Sequence, residues 1–223
     1  MADPVTTNDL EEIQEEQQES DDQFQKRDDV DEDVLLGVLG EAVEAIEDLD
    51  LPYAFVGGLA AILLGPPSRT NDIDFFVKPK DAHTLMEELE RRGFATKIHD
   101  PEWLLKAAKD GVLVDIIFRS TGDIFLDDEM IGRTTVDEFK RQRLRIVSPE
   151  DLFVMKALAH GRDTHYWHDA LDLLAYSEMD WEYLLRRAKH GPRRVLSLLI
   201  YAQGDDLPVP DPPVRKLWES IYG

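Results

Sequence analysis

The sequence predicts a mixed α/β (α+β) domain followed by an all-helical C-terminal domain. Three observations predict it. Between residues 34 and 147, short apolar runs that read as strands alternate with runs at helical spacing. From Ser148 onward the patterned runs are helical only. Before residue 34 there is almost no large apolar residue to pattern. The expected organisation is an acidic tail over 1–33, an α/β domain over 34–147 and a helical domain over 148–223.

Taken in order, residues 34–49 set Val34, Leu35, Val38, Leu39, Val43, Ile46 and Leu49 at the spacing of an amphipathic helix. Pro52 restarts the chain, and Tyr53–Val56 reads as a short buried strand. Gly57-Gly58 turns into an apolar helix, Leu59–Leu64, which Gly65, Pro66 and Pro67 end. Asp72–Val77 is the next strand. Asp81–Arg92 is a helix with Asp81 as its cap and Gly93 as its stop. Phe94–Ile98 reads as a strand, Glu102–Lys109 as a short helix, and Val112–Phe118 as a buried central strand. Residues 119–142 carry no pattern that assigns an element, and Leu144–Val147 reads as the last strand. Ser148-Pro149-Glu150-Asp151 is a helix start with a Ser cap, Pro at the first helical position and acids in the first turn. Helices over 166–176, 181–189 and 194–201, a Pro-rich joint at 208–213 and a short final helix complete the chain.

The charge is distributed unevenly. The chain of 223 residues carries a formal net charge of −22, and its first 33 residues hold 14 acids against 2 bases. Such a segment cannot bury enough apolar surface to fold alone, so it reads as a disordered, solvating extension, with a partner-binding arm as the alternative. The acidity argues against a broad nucleic-acid-binding surface. Two basic clusters run against it: Lys140, Arg141, Arg143 and Arg145, and Arg186, Arg187, Lys189, Arg193 and Arg194. Each is either a phosphate-facing patch for RNA or a solvated face paired with the many acids. There is no cysteine, hence no disulfide framework and no thiolate metal site. No apolar run reaches the length of a membrane span, and the N-terminus lacks the pattern of a secretory signal, so a soluble cytoplasmic protein is expected.

The chemistry concentrates in three aspartates. Asp72 and Asp74 alternate along one strand and therefore share a face. Asp115 is the single carboxylate within an apolar strand, a costly placement without a partner or a metal. Three carboxylates from two neighbouring strands would form one site for a divalent ion. Hard oxygen ligands without cysteine favour Mg²⁺ or Mn²⁺. Gly57-Gly58 at a helix start lets backbone amides approach phosphate. His160, His165 and His168 do not present one clean helical face, which argues against a dedicated histidine metal site.

The ordered set Gly57-Gly58, Asp72-Ile73-Asp74 and Val114-Asp115-Ile116 resembles the signature of the polymerase-beta-like nucleotidyltransferase superfamily. The wording around it, with Arg69, Thr70 and the later run from Ser148 to Leu174, resembles the branch of abortive-infection type IV toxin nucleotidyltransferases. The resemblance covers about residues 50–176 and implies a nucleotidyltransferase domain with a mixed sheet. It implies that Asp72 and Asp74 bridge two metal ions, and that Asp115 binds the ion activating an acceptor hydroxyl. It implies that Gly57 and Gly58 approach the triphosphate and that Lys156 neutralises phosphate. Asp169 and Asp172 match an Asp-x-x-Asp pair with a structural or nucleotide-positioning role. Arg69 and Thr70 either contact nucleotide or hold the loop. Two positions depart from the pattern: Gly58 stands where many members have Ser, and His168 where they have Lys. The implied partners are a nucleoside triphosphate, an acceptor that is tRNA or protein, and an antitoxin, with no membrane. Two alternatives stand beside this reading: a transferase acting on a small aminoglycoside-like molecule, and a non-catalytic nucleotide-binding module of the same fold.

Overall fold

The computed structural model describes residues 23–25, 29–65, 70–159 and 165–223. The acidic tail expected over 1–33 lies mostly outside them. Helix α1 (Glu32–Asp48) opens at an Asp31 cap, whose carboxylate accepts from the Asp33 backbone N–H at 2.9 Å. It buries Leu35, Val38, Leu39, Ala42, Val43, Ala45 and Ile46, close to the face that the spacing predicts. Strand β1 (Tyr53–Phe55), helix α2 (Gly57–Leu64) and strand β2 (Asp72–Val77) follow as expected, with both glycines inside the helix's first turn. Helix α3 (Ala82–Arg91) comes after a 3₁₀ turn at Pro79–Asp81. Asp81 is buried and makes no cap hydrogen bond, so its expected capping role is corrected.

Strand β3 (Ala95–Asp100) precedes the main departure from the sequence reading. The helix expected over Glu102–Lys109 is strand β4 (Leu104–Lys109), and β5 (Val112–Ile117) pairs with it antiparallel. The reason lies in the two residues between them. Asp110 and Gly111 have φ of 52° and 81°. These left-handed values form the two-residue turn that folds one strand back on the next. Leu104, Leu105, Ala107 and Ala108 are all buried, so both faces of β4 carry apolar residues and imitate helical spacing.

The unassigned stretch contains helix α4 (Asp128–Arg133) and strand β6 (Thr135–Phe139), which pairs antiparallel with β7 (Gln142–Ile146). Then come α5 (Pro149–Leu158), α6 (His165–Tyr176), α7 (Trp181–Arg187), α8 (Pro192–Gly204) and α9 (Asp211–Tyr222). Among the described residues the sheet has seven strands in the order β3-β4-β5-β2-β1-β7-β6. Pairs β2–β5 and β1–β7 are parallel and the rest antiparallel, so the sheet is mixed. Helix α5 starts at Ser148, whose hydroxyl accepts from the Asp151 N–H at 3.2 Å, with Pro149 in the first helical position. Residues 150–158 of this helix are all buried, and α5 packs on α2, α6, α7 and α8. It is the central element joining the sheet to the C-terminal helices. One hydrophobic cluster runs from Leu35 to Leu217 through it. No helix among the described residues is long and apolar enough to cross a membrane.

Candidate active site

The site is built on a row of directly opposed residues crossing the sheet. Asp74 on β2 is paired with Asp115 on β5, Asp115 with Lys106 on β4, and Lys106 with Lys97 on β3. Paired residues share a face. Asp72, two residues before Asp74, adds a third carboxylate to that face. Their neighbours Ile73, Phe75, Val114 and Ile116 are fully buried on the other side. The strands thus give their apolar residues to the core and their carboxylates to a cleft.

That cleft has a volume of ≈ 900 Å³. Gly57, Gly58, Thr70, Asp72, Asp74, Asp115, Lys156 and Asp169 all line it, so the fold gathers residues spread over more than a hundred positions. Arg69 lies outside the described residues. The glycine turn sits directly against the carboxylates. Gly57 has φ +61°, and a Cβ there would lie 1.9 Å from Asp74 Oδ2. The Gly58 N–H donates to the same oxygen at 3.4 Å. A Cβ on Gly58 would lie 2.4 Å from Thr70 Oγ1, so the threonine side chain fills the space that a serine at 58 would need. Thr70 Oγ1 in turn accepts from the Asp72 backbone N–H at 3.4 Å.

Electrostatics decide what this arrangement can accept. Burial, followed by the Asp115 and Asp72 carboxylates, pushes the Asp74 carboxyl up to about 7, against the Gly58 N–H and Lys156. Burial also raises Asp115, and Asp72 adds to the rise, while Lys106 opposes it. A concentration of acids that repel one another at the foot of a cleft is chemically suited to a cation. Asp72 and Asp74 therefore fit a divalent ion. Asp115 is already engaged: Lys106 Nζ donates to its Oδ1 at 2.7 Å and its Oδ2 at 3.0 Å. Among the described residues, no three acidic or histidine side chains are arranged to hold one ion.

Lys156 reaches the cleft from α5. It is buried and donates to Asp169 Oδ2 on α6 at 2.5 Å, with its Nζ 5.2 Å from the centre of the Tyr166 ring. Asp172 lies one turn on; burial, then Asp169, raises its carboxyl.

Sequence reasoning missed the opposite wall. Glu102, Trp103 and the loop 119–123 line the cleft, with Trp103 39% exposed. Arg119 bridges Asp123 at 2.6 Å and Glu102 at 3.6 Å. His190 Nδ1, 2.9 Å from the Gly122 carbonyl oxygen, anchors the loop. The Asp110-Gly111 turn was the available signal for Lys106, because it sets residue 106 opposite 115.

Three residues of the basic clusters, Lys140, Arg186 and Arg187, are engaged in ion pairs. Arg187 is not a surface residue: only 2% of it is exposed, between Asp127 and Asp151. Arg186 pairs with Glu129 at 2.9 Å, and Lys140 pairs with Glu32. The expectation of a phosphate-facing Arg187 is corrected.

A mixed sheet with carboxylates beside a glycine turn in one cleft, followed by helices, defines a nucleotidyltransferase fold. Residues 36–188 match the family described as nucleotidyl transferase of unknown function (DUF2204), and the chain belongs to it. No curated protein matches the chain by sequence. Among solved structures, it is similar to the lincosamide antibiotic adenylyltransferase LnuA with lincomycin bound. Identity is 17%, covering 66% of this chain and 99% of that one, at a TM-score of 0.47. It is similar to the antibiotic-resistance factor ANT(2″)-Ia at 14% identity, over 79% of this chain and 95% of that one, TM-score 0.48. It is also similar to a putative nucleotidyltransferase from Thermotoga maritima at 16% identity, over 53% and 80% of the chains, TM-score 0.42.

Proposed function

We propose that the protein transfers a nucleoside monophosphate from a nucleoside triphosphate to an acceptor hydroxyl, using Mg²⁺ or Mn²⁺ held by Asp72 and Asp74. The observation that carries this reading is the set of three cleft carboxylates, one of which, Asp74, lies against a glycine turn. When bound, the ion polarises phosphate oxygens and offsets the charge that develops in transfer. The backbone at Gly57 and Gly58, free of side chains, receives the triphosphate, and the Thr70 hydroxyl is within reach of it. Lys156 supplies positive charge on the opposite side, and Asp169 holds that ammonium in place. Arg69, which precedes Thr70 in the sequence, is assigned to the same nucleotide. Asp115 orients the acceptor side. The acceptor oxygen forms its bond to the α-phosphorus, the bond from that phosphorus to the bridging oxygen breaks, and pyrophosphate leaves with the electron pair. The hydroxyl proton passes to water.

For the acceptor, the resemblance to toxin-type enzymes supports tRNA or a protein hydroxyl, with an antitoxin as partner. The alternative acceptor is a small hydroxylated, aminoglycoside-like molecule, for which the exposed Trp103 on the cleft wall offers an aromatic face. On that wall Glu102 and Asp123 are paired with Arg119, and Asp169 is paired with Lys156.

One experiment separates these readings. Protein is incubated with α-labelled triphosphates and Mg²⁺, and with total RNA, total protein or an aminoglycoside panel in turn. Wild type should label one acceptor class, and Asp72→Ala should lose the label by at least about a hundredfold, as expected for a residue that stabilises transferred charge. The same blank result from both proteins in every arm overturns the enzymatic reading. Calorimetric nucleotide binding that ignores both Mg²⁺ and Asp115→Ala would then support a non-catalytic module.

A further inference from the structure

We infer that Lys106 occupies the cation position on Asp115, so that the site holds one divalent ion, on Asp72 and Asp74, rather than two. This rests on the metal-dependent transfer reading and sharpens it.

The geometry is that of a built pair. Lys106 and Asp115 are directly opposed across the β4–β5 ladder, and the ammonium meets both carboxylate oxygens, at 2.7 and 3.0 Å. Their side chains are only 14% and 20% exposed. The two-residue turn at Asp110-Gly111 fixes the register, so Lys106 cannot slide along the strand relative to Asp115. A second divalent ion on Asp115 would have to expel this ammonium from both carboxylate oxygens.

Lys106 is accordingly a positioning residue, acting through Asp115. The test counts ions instead of turnover. Full-length protein is mixed with an equimolar non-hydrolysable triphosphate analogue and titrated with Mn²⁺, and bound ion is read by electron paramagnetic resonance. Wild type should bind one Mn²⁺ per chain, without the spin coupling of a paired site. Lys106→Met, which frees Asp115, should bind two, and Lys106→Arg should return to one. Two coupled ions in wild type overturn the inference and leave the transfer reading intact, as does a single ion in a folded Lys106→Met. Should Lys106→Met not fold, the wild-type count still decides, and Lys106→Met combined with Asp115→Asn should bind one. No ion in any protein, with nucleotide bound, overturns the transfer reading itself.

Discussion

At the scale of single residues, Gly57 and Asp74 are one unit. Gly57 has a left-handed backbone conformation and leaves no room for a Cβ beside the Asp74 carboxylate. Gly57→Ala therefore adds backbone strain to a clash with a group that cannot move without leaving the site. A loss of about 1–3 kcal/mol is expected, read as a lower midpoint in denaturant, together with loss of nucleotide binding by calorimetry. Asp74 also sets a pH dependence. Its folded-state pKa, about 7, lies above the ordinary carboxylate value. The folded state thus holds the proton more tightly than the unfolded state. The resulting stabilisation is fully present below about 4 and is lost as pH rises toward 7. Without divalent ion, the melting temperature should fall over that range, and Asp74→Asn should flatten the fall. An ion that binds the deprotonated carboxylate must release the proton, so its affinity should rise up to about pH 7 and level off above. A flat affinity profile across pH 5–8 would contradict the assignment of Asp74 as the metal-facing group.

At the scale of elements, hairpin turns decided what could be read from the sequence. Asp72, Asp74 and Asp115 were legible because a carboxylate within an apolar strand is costly unless a cation or a polar cleft receives it. Lys106 was not, because β4 is buried on both faces and its alternation is masked; only the Asp110-Gly111 turn betrays it. The β6–β7 hairpin was illegible for the opposite reason. Its two turn residues, Lys140 and Arg141, have φ of 48° and 75° but are neither glycine nor asparagine. A left-handed conformation costs such residues about 1–2 kcal/mol each, and an exposed pair such as Lys140 with Glu32 returns at most about 1 kcal/mol. The double substitution Lys140→Asn with Arg141→Gly introduces the residue types that a turn of this hand prefers. It should stabilise the protein by about 1 kcal/mol, visible as a higher melting temperature with unchanged nucleotide affinity. An unchanged or lower melting temperature would show that the basic side chains hold the hairpin by contacts beyond the turn.

At the scale of the whole molecule, the division into an α/β part and a helical part, plain in the sequence pattern, is bridged by a polar network that the sequence disguised as a surface cluster. Arg187, at the end of α7, meets Asp127 at 2.5 Å and Asp151 at 2.7 Å. Asp127 caps α4, accepting from the Met130 N–H at 2.8 Å, and Asp151 lies in the first turn of α5. The Tyr183 hydroxyl donates to Asp151 Oδ2 at 2.7 Å, and the Ser148 hydroxyl donates to the same oxygen at 3.0 Å. One guanidinium thus ties the element after the sheet's β5 to both α5 and α7. Burial raises the Asp151 carboxyl, and Arg187 is the charge that chiefly opposes the rise. Arg187→Met removes that charge and strands Asp151, whose side chain is fully buried, at a cost of about 3–5 kcal/mol. Arg187→Met with Asp151→Asn should recover a substantial part, because no buried charge is then left without its partner. The shared core and this network should make the sheet and the C-terminal helices unfold together. Calorimetry of wild type should show a single transition, with calorimetric and van't Hoff enthalpies in agreement. In Arg187→Met the helices α7–α9 should exchange amide protons faster than β2 and β5 well below the midpoint. Two separate transitions in wild type would contradict the coupling, because the cleft is lined by Asp74 on the sheet and by Lys156 on the same helix, α5, that this network secures.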